Sequence, residues 1–152
     1  MSRLGLIIML LTLTIYGTAV AQGGPFGLGI IIGEPTGIGG KYYLTRSNAI
    51  DGAVAWSLEG DNDFHIQGDY LYHNYSLIEV DRGELPLYFG VGGRIAFREN
   101  RDDLVGVRFP VGLDYIFENA PVDIFGEIVP ILDLAPDTDF DLEGAIGARF
   151  FF

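Results

Sequence analysis

From Asp139 to the last residue the chain shows its best alternation. Phe140, Leu142, Gly144, Ile146, Ala148, Phe150 and Phe152 take one parity, while Asp139, Asp141, Glu143, Ala145, Gly147, Arg149 and Phe151 take the other. A period of two gives a β-strand one apolar face and one charged face, whereas a helix would mix the two sets around its circumference. The same split recurs upstream. In 104–117, Val105, Val107, Phe109, Val111, Leu113, Tyr115 and Phe117 oppose Arg108 and Asp114. In 85–98, Leu87, Phe89, Val91, Ile95 and Phe97 oppose Arg94 and Arg98. The 22 glycines are scattered through these apolar segments, which disfavours helix and suits sheet with close backbone approaches. The class is all-β.

Turn chemistry divides the chain into eight expected strands, at 26–33, 37–45, 49–58, 64–74, 85–98, 104–117, 122–134 and 139–152. Alternation alone leaves two architectures open: a soluble sandwich with its apolar face inside, or a barrel with that face outside. The aromatic residues choose between them. With the apolar face outward, Trp56, Phe64, Phe97 and Phe140 fall at one end of their strands. Phe26, Tyr70, Tyr72, Tyr115, Phe117, Phe150 and Phe152 fall at the other, with Ile30, Val54, Val91, Val107, Ile128 and Ile146 between. Two aromatic belts around an aliphatic band suit the two boundaries of a membrane, and a soluble core has no reason to sort rings by height. The expectation is an eight-stranded antiparallel up-and-down transmembrane β-barrel.

The N-terminal run supports export. Arg3 precedes the uncharged stretch LGLIIMLLTLTIYGTAVAQ, and Ala19-Val20-Ala21 has the small-x-small form of a signal-peptidase site. The expected organisation is a signal peptide over 1–21, cleaved after Ala21, and a barrel domain over 22–152. There is no cysteine, which excludes disulfides and a lipidated N-terminal cysteine. The formal net charge of −12 argues against a nucleic-acid partner, which needs clustered Lys and Arg.

The signal peptide, the eight strands and the close DLEGAIGARFFF together resemble small bacterial outer-membrane barrels of the outer-membrane protein A and X architecture, as does GLGIIIGEPTGIGGKYYL at 27–44. In that family an alternating last strand ending on phenylalanine is read by the barrel-assembly machinery. The resemblance therefore implies that machinery and outer-membrane lipids as partners, and an assembly signal carried by Phe152 with Phe150, Ala148, Ile146 and Gly144. It also implies that the chain terminus lies on the periplasmic side. The connections EPT, EGDND, ENRDD and APDT are shorter than the external loops of the better-known members. The longest connection, 75–84, falls on the periplasmic side; either the fourth strand runs past Tyr75 into a hairpin at Asp81-Arg82-Gly83 or the strand count fails there.

A barrel of eight strands is filled by side chains. The residues expected inside are Lys41, Asp51, Asp69, Arg94, Arg98, Arg108, Asp114, Asp123, Glu127, Asp133, Asp141, Glu143 and Arg149, joined in an ion-pair network with Arg149 and Glu127 paired across the last hairpin. Four other patterns bear on function. Ser57 and His65 could pair near the outer mouth, but no hydrolase motif surrounds them. Pro110 and Pro130 lie at similar heights in neighbouring strands and imply a gap or bulge there. Asp137, Asp139 and Asp141 read as a solvated acidic rim and lack EF-hand spacing; no metal or cofactor is expected. His65 and His73 have no ligand spacing. The reading is a non-enzymatic structural or weakly solute- or lipid-contacting barrel. Its alternative is a soluble periplasmic lipocalin-like barrel with the apolar face turned inward around a lipid, and behind that a lipid-modifying enzyme.

Overall fold

A computed structural model describes residues 24–34, 36–56, 63–99 and 101–152. The expected signal peptide at 1–21 and Ser57 lie outside the described residues. Among the described residues nine strands follow in order: β1 (Phe26–Glu34), β2 (Thr36–Tyr43), β3 (Asn48–Trp56), β4 (Phe64–Asn74), β5 (Leu87–Phe97), β6 (Leu104–Arg108), β7 (Val111–Ile116), β8 (Val122–Ala135) and β9 (Asp139–Phe151). All pairings are antiparallel. Each strand from β1 to β5 pairs with the next, β5 pairs with both β6 and β7, both of these pair with β8, and β8 pairs with β9. β9 then pairs with β1 over Gly27–Glu34.

The count of nine against the expected eight has a local cause. The strand expected over 104–117 is interrupted at Phe109-Pro110, yet its halves keep one register: Gly92 faces Arg108 and Leu87 faces Leu113 on one side, Ile131 faces Arg108 and Ile128 faces Val111 on the other. Across the break Gly90 N donates to Pro110 O at 3.0 Å and Phe109 N donates to Pro130 O at 2.9 Å. The two return bonds would need N–H groups that Pro110 and Pro130 lack. The prolines therefore remove two ladder bonds while the strands stay in register on either side of them. The bulge is displaced toward the far end of the strand, at Val105/Gly106.

The fourth strand ends at Asn74, on the expected boundary, and does not run on. Residues 75–78 and 81–83 form bends, and one bridge, Glu84 to Ile116, precedes β5. Burial alternates as the sequence anticipates, with the apolar parity outward. Ile146 is 62% exposed and Phe109 44%, whereas Arg108 is 1% exposed. On the outward face Trp56, Phe64 and Phe97 stand side by side on three strands. At the opposite end Phe26 packs against Phe152, Phe150 against Phe152, Tyr72 against Phe89 and Tyr115 against Phe117.

Candidate functional site: the buried ion-pair interior

The charged parity converges on two clusters. In the first, Lys41 Nζ lies 3.1 Å from Asp114 Oδ2 and 2.6 Å from His73 Nε2. Arg149 Nη2 lies 2.7 Å from Asp123 Oδ2 and 3.7 Å from Asp114 Oδ2, with its guanidinium 4.1 Å from the Phe125 ring centroid. In the second, Arg108 Nε donates to Asp69 Oδ1 at 3.0 Å and its Nη1 to Gln67 Oε1 at 2.7 Å. Arg94 Nη2 donates to Asp133 Oδ2 at 2.8 Å, and Glu143 joins the two arginines, accepting from Arg94 and lying 3.4 Å from Arg108 Nη1. Asp141, half exposed, is 3.2 Å from Arg94. Charges withdrawn from water in this way must be paired and hydrogen-bonded, or their desolvation outweighs the Coulomb attraction.

Glycine makes several of these contacts possible. Asp69, Gly92 and Arg108 lie in one row on β4, β5 and β6, so the ion pair passes over a strand that carries no side chain there. Arg94, Gly106 and Asp133 repeat the arrangement over β6. Tyr88, Gly112 and Glu127 repeat it over β7, where the Tyr88 hydroxyl donates to Glu127 Oε2 at 3.0 Å. Ile31, Gly147 and Phe125 give the apolar version over β9. A Cβ on Gly92 would collide with Gly68 O and with the Asp69 carboxylate, whereas one on Gly93 meets nothing closer than Gly106 O at 3.7 Å. Gly92→Ala is therefore expected to cost about 1–3 kcal/mol by overpacking and displacement of Asp69. Gly93→Ala should be neutral or slightly stabilising. Urea unfolding of the two refolded variants side by side checks the contrast.

Most residues expected inside are brought together: Lys41, Asp69, Arg94, Arg108, Asp114, Asp123, Asp133, Glu143 and Arg149 are all ion-paired. Two expectations are corrected. Arg149 pairs with Asp123 rather than Glu127, because the last hairpin sets Asp133 opposite Asp139 and carries that register unbroken to Asp123 opposite Arg149, leaving Ala145 opposite Glu127. Arg98 stands at the far-end turn, donating from Nε to Asp102 O at 2.8 Å, and takes no part in the network, since β5 has already ended at Phe97. Asp51 and Glu127 line a cavity of about 10 Å³ between the clusters with Gln67 and Arg149. That is room for roughly one water. Tyr43, Gln67, His73 and Tyr88 were not anticipated as members. Their parity was the available signal, since each shares the inward register of the charged residues beside it.

At the end where β1 begins and β9 stops, an open recess of about 780 Å³ is bordered by Tyr43, Arg46, Tyr75, Phe117 and Phe151. The Glu84 carboxylate holds the exposed Arg46 guanidinium above its ordinary value there, chiefly by accepting its hydrogen bond. Burial pushes the Tyr75 phenol up. Among the described residues no group of three or more His, Asp or Glu could hold a metal ion. Of the expected assembly signal, Ile146 and Phe150 are exposed on the outward face of β9, and Phe152, just past the strand, donates from N to Phe26 O at 2.9 Å.

No protein-family model and no curated protein sequence matches the chain. Among solved structures it is similar to the N-terminal β-barrel domain of Pseudomonas aeruginosa OprF, with a TM-score of 0.60 at 14% identity over 86% of this chain and 100% of that one. It also matches Neisserial surface protein A (NspA), at a TM-score of 0.49 and 12% identity over 84% of this chain and 93% of that one. At such identity the first likeness concerns fold: this chain is an antiparallel all-β protein with a sheet of the kind built into that β-barrel domain.

Proposed function

We propose that the chain is a small integral outer-membrane β-barrel protein without enzymatic activity, closed by the β9–β1 pairing and plugged by its own ion pairs. The signal peptide over 1–21 exports it and is cleaved after Ala21. Ile146, Phe150 and Phe152 present the assembly address to the barrel-assembly machinery. Outer-membrane lipids then surround the outward face, and the protein contributes to the envelope through that contact. The observation that carries the reading is the inverted burial: aliphatic side chains such as Ile146 face out between two aromatic rows while Arg108, Asp114 and Lys41 are sealed inside. Water cannot favour that arrangement over its inverse, and hydrocarbon can. A lipocalin-like interior would need an apolar cavity where this one holds charges.

Two measurements test the proposal. Alkaline carbonate is expected to leave the protein in the membrane pellet and detergent to release it; release by carbonate alone overturns the membrane reading. Purified protein in planar bilayers is expected to give no stable open state of large conductance, because Lys41 on β2 reaches Asp114 on β7 across the interior and Arg94, Arg108 and Arg149 fill it, bonded to carboxylates on nearby strands. Such a state would overturn the plug.

A further inference from the structure

Arg46 fastens both ends of the 75–84 connection. Its guanidinium lies 4.6 Å from the Tyr75 ring centroid, Tyr75 Oη donates to Arg46 O at 2.7 Å, and Arg46 Nη2 donates to Glu84 Oε2 at 2.7 Å. Glu84 and Ile116 exchange backbone bonds of 3.0 and 2.8 Å, and Tyr115 Oη donates to Arg82 O at 3.0 Å. Gly83 turns the chain at φ +72°, where a side chain would be strained and would meet Ile116 O. With its ends held together, the segment is a compact loop of the Ω kind.

Its apolar residues do not turn into the recess beneath the interior. Ile78 lies against the outward face of the sheet, lining a groove with Leu87, Leu113 and Ile128. Leu77 is 63% exposed and Val80 38%. Single exposed aliphatics are ordinary, but these flank Ile78 in the loop that joins β4 to β5, the two strands that carry the terminal-end ring pair Tyr72–Phe89. Glu79, Asp81 and Arg82 are exposed between and after them. Interleaved charges exclude the segment from the middle of hydrocarbon and suit the boundary between headgroups and acyl chains.

We propose that residues 75–84 form a lipid-docking foot, in which Leu77 and Val80 insert into the headgroup–acyl boundary of the leaflet at the terminal end of the sheet while Arg46 holds the loop in shape. The proposal rests on the outer-membrane reading above. The lipid surface is the occupant because the foot continues the face that reading gives to lipid, and because its charges alternate with its aliphatics as interfacial segments require.

Trp56 is the one tryptophan in the chain, so Trp56→Phe gives a silent background. Leu77→Trp and, independently, Val80→Trp in that background report the foot, and Ile146→Trp reports the middle of the outward face. The proteins are reconstituted into phosphatidylcholine vesicles carrying bromines either near the headgroup or deep in the acyl chain. Both foot reporters are expected to lose roughly half their emission to shallow bromines and little to deep ones, as befits a depth of about 5–10 Å. The Ile146→Trp reporter should show the reverse preference. If Ile146→Trp is quenched and neither foot reporter is, the foot is in water and the inference falls alone. If none of the three is quenched, the membrane reading falls and the inference with it.

Discussion

Arg108→Met is expected to destabilise the protein by about 3–5 kcal/mol, because it strands the buried Asp69 carboxylate and leaves Glu143 with Arg94 alone. Arg108 is bonded to Asp69 and Gln67 on β4 and to Glu143 on β9, so a single truncation removes a donor from acceptors on either side of β6. Equilibrium urea unfolding in phospholipid vesicles measures the loss. The double variant Arg108→Met with Asp69→Leu should recover a substantial part of it, since removing both charges takes away the desolvation cost along with the attraction. If Arg108 were a solvated surface residue instead, the single variant would cost less than about 1 kcal/mol and the double would recover nothing measurable. The comparison separates a sealed ionic interior from a decorated surface.

Ile128→Arg tests the opposite face. Ile128 is among the most exposed aliphatic residues, with Val111 and Gly144 opposite it on the flanking strands and the two aromatic rows beyond. On a surface in water such a change lies within about 0.5 kcal/mol of neutral. Facing the middle of a bilayer it is expected to cost about 2–4 kcal/mol. Folding yield into vesicles should fall with it, and Ile128→Leu should stay within about 1.5 kcal/mol of the parent. A neutral Ile128→Arg variant would remove the argument that hydrocarbon, not water, meets this side of the sheet.

The interior was legible where parity sufficed and illegible where contact depended on a third strand. Arg94, Arg108 and Arg149 could be assigned to the inside from alternation alone. Their partners could not, because Asp69 reaches Arg108 over Gly92 and Asp133 reaches Arg94 over Gly106, two strands away. The Arg149–Asp123 pair is a different case. It follows from the register of the last hairpin, and counting back from the turn at 136–138 would have replaced Glu127 with Asp123. Arg98 was misplaced because the alternation in 85–98 continues one residue beyond the ladder, into a turn where parity no longer fixes direction.

The sequence by itself determined the class, the faces and most strand boundaries to within two residues, because period-two alternation and turn residues act over a few neighbours and need no knowledge of the whole. Tertiary structure decided the ion-pair partners, the break at Phe109-Pro110 that leaves its two halves in one register, and the outward folding of 75–84. Each of these depends on what stands across one or more intervening strands, and linear spacing carries no record of that distance.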